Sequence, residues 1–467
     1  MIDNQPNLTL PLNMPIQSYN PYTQEVLKDF VADDSTVINS KLDQAITTYQ
    51  SWKKTPLEIR IQLFANLIEV LKAEKENLAK LITLEVGVPI KQALGQIDKC
   101  ISGINHYSSE MANILKPEVV DIPGQKSEVR VAPLGLIFSI MPWNFPFWQV
   151  MRVATPVILS GNVYAIKHAS NVPQCSTALA NCFLKAGFAE GVFTNFLVSG
   201  ADSEQIVTDP RVAGVSLTGS TNVGRSVAAL CGQNVKPCVM ELGGSDPFIV
   251  LNDADLTKVI PAAILSRFRN AGQSCNAAKR FIVQKEIASD FTRLLVEAVQ
   301  AMKILDPIDP TSDIGPVVSA TAVIEISSQV NDSVAMGAKV LVGGQVQEGR
   351  PLVYLPTVLT NITKDMPVYR EEVFGPVASI IEVDTVSEAI EVANDTEYGL
   401  GASLWTRDIN LADDLINQLE AGNVFVNTML TSDPKLPYGG IKNSGFGREL
   451  SHYGVKAFMN IKTVVIK

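Results

Sequence analysis

An α/β fold built on mostly parallel sheets is what this sequence predicts, on three observations. From about residue 134 the chain alternates short apolar strands with helical stretches, the pattern of βαβ units. The alternation resumes after Cys275, so two α/β runs follow one another, joined near 241–275. The chain has 467 residues, enough for about three domains at roughly 150 residues each.

Taken in order, residues 1–36 read as irregular with short strands, as in the turn-rich SYNPYTQEV. Residues 36–115 read as helices. TPLEIRIQLFANLIEVLKAEKENLAKLITLEVG carries apolar residues three or four apart, and Gly87-Val88-Pro89 is the stop signal. PEVVDIPGQKSEVRVAPLG reads as a hairpin. Candidate strands are LGLIFSI, VYAIKHA, FTNFLVSG, VAGVSLTGS, PCVMELGG and PFIVL, with a helix over VPQCSTALANCFLKAG. The second run holds AAKRFIVQ, a helix from Ile287 to Lys303, AKVLVGG, VFGPVASIIEV and GNVFVN. FMNIKTVVIK alternates like an edge strand, able to pair with another subunit or with the earlier hairpin.

Composition narrows the function. With 46 % hydrophobic and 18 % charged residues the chain is an ordinary globular one. A net charge of −10 leaves no basic footprint for nucleic acid. His106, His168 and His452 lie far apart, which disfavours a histidine metal site or a Ser/His/Asp hydrolase. Six cysteines at spacings of 75, 7, 49, 7 and 37 match no zinc template, so no metal is expected. MIDNQPNLTL has no apolar core and is not a signal peptide. Free thiols in a reducing cytoplasm follow. The 21 uncharged residues between Arg130 and Arg152 contain Pro133, Pro142 and Pro146, so a buried strand with a Pro-rich turn is preferred to a membrane span.

Four short segments carry chemistry. GSTNVG at 219–224 reads as a turn between strand and helix, where backbone N–H groups meet a phosphate. With Arg225-Ser226 it nearly matches a P-loop, but arginine replaces the lysine. A plain tight turn, a dinucleotide site and a degraded P-loop all remain open. Cys275 in GQSCNAAKR is either a nucleophile or a structural thiol. Glu241 ends an apolar strand beside Gly243-Gly244, where burial would raise its pKa toward that of a general base. Asn144 in PWNFP needs a partner or offers a donor to a ligand oxygen. Cys100, Cys175, Cys182, Cys231 and Cys238 read as structural.

In order, PWNFP, LTGS, ELGG, GQSC, EEVFGP and PYGGIKNSGFGREL together resemble the aldehyde dehydrogenase superfamily over nearly the whole chain. The resemblance implies a Rossmann-type cofactor domain (1–109 and 134–241), an α/β catalytic domain (242–445) and a small β oligomerisation unit (110–133 and 446–467). It implies that Cys275 is the nucleophile, Asn144 the oxyanion donor and Glu241 the base that hydrolyses the thioester. Lys167 and Ser170 match the adenine-ribose clamp, Gly219 and Ser220 the pyrophosphate site, Glu372 the nicotinamide-ribose ligand, and Phe374 and Trp143 its neighbours. Strongly NAD-dependent members carry glutamate where Ser170 stands, so NADP is expected to be accepted beside NAD. Ala277 stands where some relatives place a second cysteine, so no redox switch is expected there.

Arg152 and Arg269 occupy positions resembling those where succinate-semialdehyde dehydrogenases hold the distal carboxylate, and Ser432 lies in a further contact segment. A guanidinium fork suits a carboxylate. The expected reaction is oxidation of a short semialdehyde acid by a homo-oligomer. The alternatives are a broad-range aldehyde dehydrogenase, a nucleotide-binding phosphotransferase and a non-catalytic relative.

Overall fold

The computed structural model describes residues 16–467; the readings made for residues 1–15 lie outside that range. Two large sheets and one small one organise the chain. The six-stranded sheet runs Gly445–Phe446, Cys238–Glu241, Val212–Thr218, Leu136–Met141, Val163–His168, Phe193–Phe196. All its pairs are parallel except the first. The chain builds outward from Leu136–Met141 in one direction, then returns to its other side. The order therefore reverses between Leu136–Met141 and Val212–Thr218, and a doubly wound sheet opens its ligand crevice at the carboxyl ends of two such strands.

The seven-stranded sheet runs Lys339–Val342, Thr357–Thr360, Val377–Val383, Ala278–Gln284, Asp246–Val250, Gly401–Trp405, Asn423–Val426. Its first pair is antiparallel and the others parallel. Three of its inner strands, Ala278–Gln284, Asp246–Val250 and Gly401–Trp405, are buried at every residue, as expected of a sheet covered on both faces. Glu241 ends the last parallel strand of the first sheet and Asp246 begins the second sheet, so this crossing occupies 242–245; the chain returns to the first sheet at Gly445–Phe446.

The N-terminal helices pack on the first sheet. Periodicity marked one long helical stretch to Gly87; it is two helices, Leu57–Ala73 and Lys75–Val86, broken at Glu74. Gly87 ends the second in the left-handed region at φ 82, a common glycine helix stop. The helix Ile90–Ile114 follows. The hairpin Glu118–Ile122 with Gln125–Pro133 forms as expected, and Met459–Ile466 pairs antiparallel along the hairpin's second strand. Leu430, Tyr438, Leu450, Val455 and Phe458 join the core of the first sheet, so the C-terminal part of the chain folds back across it.

One sequence reading is corrected. GSTNVG is not an open turn: the helix Thr221–Gln233 begins directly after Ser220, whose hydroxyl caps Val223 N–H. Gly224 lies inside that helix, and a Cβ there would sit 2.4 Å from a Leu242 methyl. Its glycine serves close helix packing rather than a phosphate-wrapping loop, so the P-loop alternative falls.

Arg280 ties the crossing segment to the second sheet. Its Nε donates to Ser245 O at 3.0 Å, and its Nη atoms to Val392 O and Ala393 O at 2.6 and 2.8 Å. The side chain is fully buried, and burial lowers its pKa to about 10. Arg280→Met strands three buried carbonyls and is expected to cost about 2–4 kcal/mol, measurable as a lower thermal unfolding midpoint. An unchanged midpoint would remove this account of the residue.

Candidate active site

Cys275 sits in the segment that enters strand Ala278–Gln284. Just before it, Asn270, Ala271 and Gly272 all have positive φ, at 51, 52 and 72°. Left-handed backbone at two non-glycine residues stores strain that surrounding contacts must hold. Gly272 is obligatory there, because a Cβ would lie 2.2 Å from Gly375 O. The cysteine segment is thus pressed against the EEVFGP segment.

The strain is held by a buried network. Asn270 Nδ2 donates to Asn144 O at 2.9 Å, and Asn144 Nδ2 donates to Gln273 O at 3.0 Å. Gln273 Nε2 donates to Asn270 O, and Val318 N–H donates to Gln273 Oε1. An amide group has two N–H donors, so Asn144 keeps one beyond its bond to Gln273. The PWNFP turn that presents it is pinned from two sides. Gln96 Oε1 accepts from Phe147 N–H and Trp148 N–H. His168 Nδ1 accepts from Ala169 N–H, which assigns the ring proton to Nε2, 2.8 Å from Pro146 O. Burial lowers the His168 pKa to about 4, so it remains neutral.

Two cavities meet at Cys275. One, of about 540 Å³, is lined by Trp143, Asn144, Gly219, Ser220, Glu372 and Phe374 among others. It lies at the switch point of the first sheet, in front of the N-terminus of helix Thr221–Gln233, where N–H groups and the helix dipole favour an anion. Trp143 and Phe374 meet edge to face at 6.0 Å. Lys279 Nζ donates to Ser274 O and Cys275 O at 2.8 and 2.5 Å and pairs with Glu372 at 3.2 Å, linking the cysteine segment to the cleft wall. Lys167 is the penultimate residue of strand Val163–His168, buried, and Ser170 lies just past the strand on the surface; neither lines this cavity.

The second cavity, of about 260 Å³, is lined by Lys99, Trp148, Arg152, Arg269, Ser432 and Tyr438 among others. Arg152 is buried, with Nε 2.5 Å from Glu449 and Nη2 donating to Thr218 Oγ1 at 3.2 Å. Its charge is therefore already compensated. Arg269 lies over the Phe145 ring at 5.3 Å. Ser432 Oγ accepts from Lys99 Nζ at 2.8 Å and from Trp148 Nε1 at 3.0 Å.

Glu241 is buried, and its Oε1 has no hydrogen-bond partner among the described residues. Burial first, then the nearby Glu449, pushes its pKa well above the usual carboxylate range. Burial also raises the Cys275 thiol, opposed by Lys279 and Arg152. Lys99, Glu449, Gln96, Lys279 and Tyr438 escaped the sequence reading. Lys99 alone had a local signal, a lysine beside Gln96 and Cys100 on the buried face of Ile90–Ile114.

Because the raised thiol ionises above the ordinary cysteine value, alkylation of Cys275 by iodoacetamide is expected to keep rising beyond about pH 9. Mass spectrometry of the Cys275 peptide checks this; a plateau already reached at neutral pH would refute it.

The chain matches the aldehyde dehydrogenase family over residues 11–464. It is 44 % identical to a probable succinate-semialdehyde dehydrogenase (NADP+) of Synechocystis sp., over 97 % of this chain and 100 % of the relative. It is 43 % identical to a succinate-semialdehyde dehydrogenase (NADP+) of Mycobacterium avium, over 97 % of each. A crystal structure of succinic semialdehyde dehydrogenase from Streptococcus pyogenes in complex with NADP+ superposes with a TM-score of 0.94 at 35 % identity, covering 96 % of this chain and 99 % of that one. Motif order, a cysteine between two cavities and these relatives agree: the chain belongs to the aldehyde dehydrogenase family.

Proposed function

We infer that this enzyme oxidises succinate semialdehyde, or a close semialdehyde acid, to the dicarboxylate with NADP+ or NAD+. One observation carries the reading: Cys275 stands where an anion-favouring cleft meets a second cavity that holds Arg269 and Lys99 without a carboxylate paired to either among the described residues. The aldehyde enters the smaller cavity and its far carboxylate meets Arg269 and Ser432, with Arg152 forming part of the wall.

The Cys275 thiolate attacks the carbonyl carbon, and the carbonyl π-electrons move onto oxygen. The free Asn144 N–H and the Cys275 backbone N–H stabilise that oxyanion. A bound nicotinamide cofactor supplies the hydride acceptor. Its cradle fits: Ser220 heads the helix at the cleft, Glu372 is held at Oε1 by Lys279 and Gly244 N–H with Oε2 left for a ribose, and Lys167 with Ser170 offers no carboxylate to repel a 2′-phosphate. Glu241 takes a proton from water, the hydroxide attacks the thioester carbon, and the thiolate leaves. Its raised pKa predicts loss of hydrolysis as pH falls, because the protonated carboxyl is no base.

The division of labour follows the sheets. The six-stranded unit serves the cofactor, the seven-stranded unit the thiol chemistry, and the three-stranded sheet assembly into a homo-oligomer. Val119, Val120, Ile122, Ile461 and Val465 are exposed on that small sheet, an apolar surface suited to covering by another copy. Six free cysteines fit a reducing cytoplasm.

The test is a matrix of succinate semialdehyde and butanal against NADP+ and NAD+. The semialdehyde is expected to win in kcat/KM by at least about tenfold, the worth of one carboxylate–guanidinium contact, with NADP+ accepted. Equal rates for both aldehydes would favour a broad-range enzyme. Separately, Glu241→Gln is expected to give a burst of about one reduced cofactor per subunit followed by slow turnover, since acylation outlives hydrolysis; a linear trace at the native rate would dismiss Glu241 as the base.

A further inference from the structure

We propose that Lys99 is a specificity-determining residue of the aldehyde cavity: its ammonium, with Arg269 and the Ser432 hydroxyl, binds the distal carboxylate of the substrate. This inference rests on the semialdehyde reading and adds to it a cation that no motif marked.

The argument begins with charge. Of the cations lining the cavity, Arg152 is neutralised by Glu449. Neither Lys99 nor Arg269 pairs with a carboxylate among the described residues, and both are largely withdrawn from water. Two like charges kept together in a desolvated pocket are costly unless an anion joins them. A merely structural lysine would be expected to reach solvent or a carboxylate along its flexible stem. Lys99 instead turns inward, over the Trp148 ring at 4.7 Å and onto Ser432.

Hydrogen-bond accounting gives the direction. A serine hydroxyl has two acceptor lone pairs and one donor. Trp148 Nε1 and Lys99 Nζ fill both acceptor positions of Ser432. The Ser432 proton is therefore left to donate. An ammonium has three N–H donors, and Ser432 takes one of Lys99's. Ser432, Lys99 and the Arg269 fork are thus donor-rich and acceptor-poor, which suits a carboxylate and not an aldehyde tail of methyl groups.

The groups facing Lys99 set its protonation. Arg269 and Arg152, from two other segments, disfavour its charge, whereas Asp433 and Cys100 favour it. Burial is the largest influence, and together these lower its pKa to about 7. A protonated Lys99 attracts the carboxylate; the neutral amine does not. Selectivity for the acid-bearing aldehyde is then highest below that pKa and declines above it. Cys275 and Glu241 also titrate, but they act on every aldehyde and cancel in a ratio of substrates.

The experiment measures kcat/KM for succinate semialdehyde divided by that for butanal, at about pH 6 and about pH 9, either side of that lysine's pKa. Wild type, Lys99→Met and Lys99→Arg are compared. In the wild type the ratio is expected to fall severalfold as pH rises. Lys99→Met is expected to lower the ratio at the acid end by about tenfold or more, mainly through KM, and to flatten its pH dependence. Lys99→Arg, charged throughout, is expected to keep a high ratio that is flat with pH. Measurable butanal turnover certifies that each variant folded. A wild-type preference that Lys99→Met leaves intact overturns the role of Lys99 while the semialdehyde reading stands. A wild type with no preference at either pH overturns that reading, and this inference with it.

Discussion

Asn144, Asn270 and Gln273 form the joint on which the reaction centre depends. The Gln273 carbonyl accepts from the side chains of both asparagines, at 3.0 and 3.4 Å. Asn144 belongs to the end of the first sheet and Gln273 to the entrance of the second. The bond between them sets the Asn144 amide beside the Cys275 segment, although the two residues are 129 positions apart. All three side chains are buried. An unmade amide bond is most expensive in such surroundings, so the network specifies one arrangement and holds the left-handed turn before Cys275.

Around that joint the site separates charges by location. The acids near the thiol are either compensated, as Glu449 is by Arg152, or pushed toward neutrality, as Glu241 is by burial. Glu372 is engaged by Lys279 and by Gly244 N–H. Among the described residues, Lys99 and Arg269 line the smaller cavity without carboxylate partners, and the helix N-terminus faces the larger one. An acidic chain of net charge −10 thus gathers unpaired cations at one cavity and a helix N-terminus at the other. Whole-chain charge governs solubility and encounter; pocket chemistry is decided within a few ångströms.

Local signals explain how much was legible. Cys275, Glu241 and Asn144, which the fold brings into one region, each sit in a short string with glycine or proline neighbours, because sharp turns around a cavity restrict the backbone and leave a mark in sequence. Strand–helix alternation similarly revealed both large sheets. Lys99 and Glu449 left much less: their roles come from partners 333 and 297 positions away, Ser432 and Arg152. The turn at Gly219 was over-extended because glycine is ambiguous. At Gly224 it answers to Leu242 packing inside a helix, not to a loop. The break at Glu74 was invisible because the apolar period continues through it.

The strand Met459–Ile466 has a consequence for how the molecule is made. It pairs with Gln125–Pro133, closing a loop of more than three hundred residues. Just ahead of it, Glu449 lies in a bridge with Tyr438 and holds Arg152, so the wall of the smaller cavity is finished by residues almost three hundred positions downstream of Arg152. Contacts this distant in sequence form slowly, since chain closure must precede their reward. During synthesis the first sheet can gather its helices and Cys275 can leave the ribosome, yet the thiol has no finished pocket. The chamber around the thiol is thus completed only when the returning strand reaches the hairpin, although Cys275 lies well ahead of that strand in the chain.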